Sequence, residues 1–109
     1  MIVDATLGPR SIQAPISFSG AGDNIVVTGV AGMYVKVLQF FLVMGGATVL
    51  TFKSNASFVS GAMSMLANGS IVLDYIQLPL QTISPGDNFI INSSNAVSVG
   101  GVIWYVQAP

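Results

Sequence analysis

The chain has 109 residues, 52% of them hydrophobic, with three basic and four acidic side chains and a net charge of -1. It contains no His, no Cys and no Glu. Those absences exclude disulfides, thiolate metal sites and the commonest general bases, and three scattered cations cannot make the basic cluster that nucleic acid requires. A charged fraction of 6% lies far below the roughly 25% of a soluble domain. Spread over a folded surface of roughly 5,700 Å², seven charges give about one per 800 Å². Such a surface points to a protein that works covered by copies of itself or by other proteins.

Strand signals dominate, as short β-branched and aromatic runs cut by Gly, Asn, Ser and Pro. The first strand is expected over 11–19, and Pro15 makes it an edge strand or an irregular one. A Gly-rich turn, Gly20-Ala21-Gly22-Asp23, leads to a second over 24–30. The longest follows over 33–44, with Tyr34, Lys36, Leu38, Phe40, Leu42 and Met44 on one side and Met33, Val35, Val37, Gln39, Phe41 and Val43 on the other. Both sides are apolar around Phe40-Phe41-Leu42-Val43, where a strand with one wet face should alternate. One side is therefore expected against a second sheet and the other against a neighbouring subunit. The competing reading buries the strand inside its own domain.

Gly45-Gly46 reads as a hairpin returning the chain over 47–54, and Asn68-Gly69 as another opening 70–76. Between them lies a weaker strand over 58–65. Leu78-Pro79-Leu80 crosses over, and Ser84-Pro85-Gly86-Asp87 has the residues of a type II turn before a strand over 88–92. The last strand is expected over 96–107, with Gly100-Gly101 as a bulge or a point of close approach. The whole is read as a single all-β domain, an antiparallel two-sheet sandwich of about eight strands, jelly-roll-like, over 16–109, with an extended N-terminal arm over 1–15.

No membrane helix is expected. The longest uncharged run, Val37 to Phe52, would span about 24 Å as a helix, short of the roughly 30 Å hydrocarbon core. The start, Met1-Ile2-Val3-Asp4, lacks the pattern of a secretory signal. Three Asn-x-Ser triplets, at Asn55, Asn68 and Asn92, read as turn chemistry.

The search for chemistry returns little. A Ser-Lys pair through Lys36 or Lys53 has no supporting motif, and Asp23 and Asp87 sit before Asn in Gly-containing turns, where Asx side chains cap their own backbone. No catalytic residues, cofactor or metal ligands are expected, and a small-molecule ligand is not. Trp104 and Tyr105 lie on alternate faces of the last strand, one ring for the core and one for a seam; a sugar-stacking platform is the alternative.

The layout resembles small β-sandwich structural proteins of tailed bacteriophage virions, head decoration (cement) proteins above all. The resemblance runs from about Ile16 onward. It is carried by the apolar strand from Met33, the Gly-Gly step into Thr48-Val-Leu-Thr-Phe-Lys-Ser, the segment Ile71-Val-Leu-Asp-Tyr, the Pro-Gly-Asp-Asn-Phe turn into Ile90, and Val99-Gly-Gly-Val-Ile-Trp-Tyr-Val. It implies a homo-oligomer, typically a trimer, bound to the major capsid protein on the virion and assembled in the host bacterial cytoplasm. Candidate self-association or coat contacts are Phe40, Phe41, Val43, Trp104 and Tyr105, with Pro9 and Arg10 in the arm. The alternatives are a tail, neck or fibre module, or a small sandwich domain that binds glycans.

Overall fold

Period-two alternation and closely spaced turn residues favour strands over helices, and every regular element among the described residues is a strand. A computed structural model describes residues 11–74 and 80–109. The strands are β1 (Ile12–Phe18), β2 (Gly22–Val27), β3 (Tyr34–Met44), β4 (Thr48–Ser54), β5 (Ser57–Phe58), β6 (Met63–Met65), β7 (Ser70–Leu73), β8 (Leu80–Gln81), β9 (Phe89–Ser93) and β10 (Val99–Ala108). They form two antiparallel five-stranded sheets packed as a sandwich. The first has the order β1-β10-β3-β7, with β8 also on β3; the second has the order β2-β9-β4-β5, with β6 also on β4.

The core lies between the sheets. Ile16, Val35, Val37, Phe40, Leu42, Met44 and Ile103 of the first sheet meet Val27, Leu50, Phe52, Phe89 and Ile91 of the second. Phe40 crosses edge-on to Phe52 with centroids 5.3 Å apart, and Phe52 lies 5.8 Å from Phe89. This aromatic chain ties the sheets together, each contact adding about 0.5–1.5 kcal/mol beyond its buried area. Polar groups within the sandwich are paired: Thr48 and Ser93 hydroxyls lie 2.8 Å apart, and the Val35 N–H donates to the Thr82 hydroxyl at 2.9 Å.

Pro15 sits in an edge strand, where its missing N–H costs no ladder bond. Around Pro85-Gly86 the Asp87 N–H donates to the Ser84 carbonyl at 3.2 Å, and Gly86 has φ 87°, the type II pattern. Leu78 and Pro79 lie outside the described residues. The expected boundary between arm and sandwich falls inside β1, which takes residues 12–15 into the first sheet.

Three expectations are corrected. Gly45-Gly46 and Asn68-Gly69 do not close hairpins, because each joins strands of different sheets. Gly45 and Gly46 are needed for contact instead: a Cβ on the first would strike the Ser98 hydroxyl, and one on the second would lie 2.7 Å from Val97. The expected strand over 58–65 is split in two, because Val59 and Ser60 both donate to the Phe52 carbonyl while the Ser60 hydroxyl accepts from the Phe52 N–H. The tight hairpin is at Asn55-Ala56, between the paired Ser54 and Ser57, with Asn55 at φ 49°.

Candidate functional site

The two faces of β3 do not follow one parity. Its register against β10 steps from Trp104 opposite Gln39 to Tyr105 opposite Val37, leaving Leu38 as an extra residue. This bulge shifts the phase of the strand, so Val35 and Val37 before it and Phe40, Leu42 and Met44 after it all face the core. The expectation that Tyr34, Lys36 and Leu38 share a side with Phe40 is corrected on that ground. Past the bulge, Phe41 and Val43 point out of the sandwich and are 44% and 47% exposed.

Strand pairing extends that exposure into a surface. Pro15 lies opposite Val102, Val102 opposite Phe41, and Phe41 opposite Val72, so one row of apolar side chains crosses four strands on the outer face. Phe41 and the 64%-exposed Val72 are its most open large members. On one side of it runs Gln13-Trp104-Gln39, on the other Ser17-Gly100-Val43-Ser70. These three rows carry no charged residue. The centre of the face, on β10 and β3, is largely apolar, and the ends on β1 and β7 hold Gln13, Ser17 and Ser70. An apolar centre inside a polar rim is the anatomy of a protein interface.

The sequence candidates divide on this frame. Phe41, Val43 and Trp104 come together on the outer face. Phe40 is 4% exposed and belongs to the core, and Tyr105 packs against that core from the inner side of β10. The Trp104 indole N–H donates to the Gln13 side-chain carbonyl at 3.2 Å, which steadies the ring on the sheet surface. Pro9 and Arg10 lie outside the described residues. Val102 and Val72 were not singled out from the sequence. The outward parity of β10 signals Val102, whereas Val72 joins the row only through its pairing with β3.

No family model matches the chain, and neither the curated proteins nor the solved structures contain a match.

The outer face of the second sheet is built differently. Asp23 on β2 receives the Lys53 ammonium at 3.0 and 3.1 Å and the Asn92 amide at 2.7 Å. The Asn92 hydrogen bond, then that from Lys53, holds the Asp23 carboxyl below its usual 3.8, against a small opposing effect of burial. The Lys53 ammonium also stands 5.6 Å from the Phe58 ring centre. Beside it a depression of about 240 Å³ is lined by Thr51, Phe58, Ser60, Gly61 and Ala62. That is below the volume that encloses a drug-sized ligand. Asp87 accepts from the Ser54 hydroxyl at 2.7 Å and the Asn55 amide at 2.9 Å. Both aspartates therefore bind side chains distant in sequence, where their turns had suggested local backbone caps.

Proposed function

We propose that this chain is a virion structural protein of the capsid decoration, or cement, type, which stabilises a phage head by binding across joints between coat subunits. The observation that supports the reading best is the uncharged central band on the outer face of the first sheet, the three rows centred on Val102 and Phe41. Leaving such a face in water is costly, and covering it returns about 25 cal/mol per Å² before association costs are subtracted. Repeated at each joint, a modest gain per subunit stabilises a shell by mass action. The virion setting comes from the layout resemblance, and the expected jelly-roll path, the N-terminal arm over 1–15 and the coat partner belong to the same proposal.

Mass spectrometry of gradient-purified particles from the source tests it. Copies at about one-third of the coat protein or more, the occupancy that mass action gives a repeated site, support the decoration role. A few copies per particle move the chain to the tail or neck. Absence from particles sinks the virion reading. The partly exposed Trp104 ring, held by Gln13, favours glycan binding as the second reading, which saccharide binding lost on Trp104→Ala would establish.

A further inference from the structure

Two adjacent glycines in β10 answer to different needs. A Cβ on Gly101 would strike the Phe41 carbonyl oxygen, so the strand pairing itself demands glycine there. Among the described residues, a Cβ on Gly100 would meet nothing nearer than the Ile16 carbonyl oxygen at 3.9 Å, an ordinary contact. Gly100 does not have positive φ either. Glycine within a strand sacrifices packing and conformational entropy, and nothing among the described residues accounts for this one.

Gly100 leaves a bare spot on the outer face, two residues from Val102 along β10. Trp104, the largest side chain of the chain, stands on the same face two residues from Val102 in the other direction. Each is therefore about 6.6 Å from the central row. A two-fold axis lying along the Pro15–Val102–Phe41–Val72 row exchanges the rows on either side of it. It places each Trp104 over the Gly100 of the facing copy and Gln13 over Ser17, and it brings each Phe41 beside its own mate.

We infer that the outer face of the first sheet binds the same face of a second copy of this chain, with Trp104 seated on Gly100 across a two-fold axis. This deepens the reading of that face as an interface. Charge and size both favour a second copy as the occupant. No charged side chain lies in the three rows. Lys36, one row beyond Trp104, and the exposed Asp74 stand at the margin, where the two-fold axis keeps each away from its own mate. The centre of the contact therefore desolvates no ion and opposes no like charges. The molecule measures 38 by 30 by 19 Å, so its broad side has room for the roughly 800 Å² per partner of a standard interface. Isologous pairing also closes after two subunits and leaves the second sheet of each copy facing outward.

Sedimentation equilibrium of the full chain tests the inference. The wild type is expected to dimerise with a dissociation constant on the order of micromolar. Gly100→Leu fills the bare spot and should weaken the dimer at least tenfold while thermal melting shows an intact fold. Adding Trp104→Ala to that variant should recover part of the affinity, because the smaller side chain makes room for Leu. Should Gly100→Leu lose its fold, Phe41→Ser carries the same test at the axis. A wild-type chain that stays monomeric to about 100 μM, a trimer, or a dimer indifferent to these variants overturns the inference. None of those results touches the decoration reading, which stands or falls on the presence of the chain in purified particles.

Discussion

The two outer faces of the sandwich solve the same problem with opposite means. The second sheet carries a bound polar network, in which Lys53 and Asn92 reach Asp23, beside Ile25 and Phe58, which are 59% and 70% exposed. The first sheet has no such network across its middle three rows and presents Val102, Phe41, Val72 and Trp104 with a rim of Gln and Ser. With so few charges to distribute, the Lys53–Asp23 ion pair falls on one face, and on the other Lys36 lies outside the three central rows. The contrast sets a charged network at the middle of one sheet against an uncharged band at the middle of the other.

The largest test of this contrast sets Phe40 against Phe41. Phe40→Ala opens the aromatic chain in the core and should cost about 3–5 kcal/mol of folding stability by denaturant titration. Phe41→Ala should cost the isolated subunit under about 1 kcal/mol, because its side chain is already half in water. Equal losses would mean that the outer face is structural.

The adjacent glycines sharpen the comparison within one strand. Gly101→Ala forces β10 away from the Phe41 carbonyl and should cost about 1–3 kcal/mol. Gly100→Ala should change subunit stability by no more than about 0.5 kcal/mol. A comparable loss at both positions would remove the distinction on which the dimer rests.

The smallest effect belongs to the second sheet. The Asp23 side chain is 43% exposed, so Asp23→Asn should cost only about 0.2–1 kcal/mol, and less at high salt. The Asp23 pKa is lowered in the fold, so its contribution is present above 3.8 and is lost as pH falls through the lowered folded value. The gap between wild type and Asp23→Asn in chemical denaturation should therefore close in acid. A gap that widens in acid would contradict the ion pair.

Strand identity was largely legible in the sequence, and pairing was not. Pro15 announced an edge strand, and Gly100-Gly101 announced close approach, which Gly101 makes to Phe41. Gly-Gly and Asn-Gly encode a backbone that can turn sharply, without stating which strand lies on the far side. Both therefore looked like hairpins and are crossings between sheets. The Leu38 bulge was hidden for a related reason: an apolar run of either parity fits a buried strand, and the phase is set by how β10 aligns with β3. Phe41, Val43 and Trp104 were found as candidates because large apolar residues are conspicuous, while Phe40 looked the same and turned inward.

The position of β10 has a consequence for synthesis. It is the last strand in chain order, yet it lies in the middle of the first sheet, between β1 and β3. Until it has left the ribosome, β1 has no partner in that sheet, and β3 shows one open edge to the crowded cell. Folding must wait for residues about ninety positions downstream of those they pair with, as Ile12 waits for Tyr105. A cell making this chain quickly would hold many half-made copies with the inner side chains of β3 uncovered. The rate of translation near the final strand, as much as the stability of the finished fold, should set how much of the protein survives to assemble.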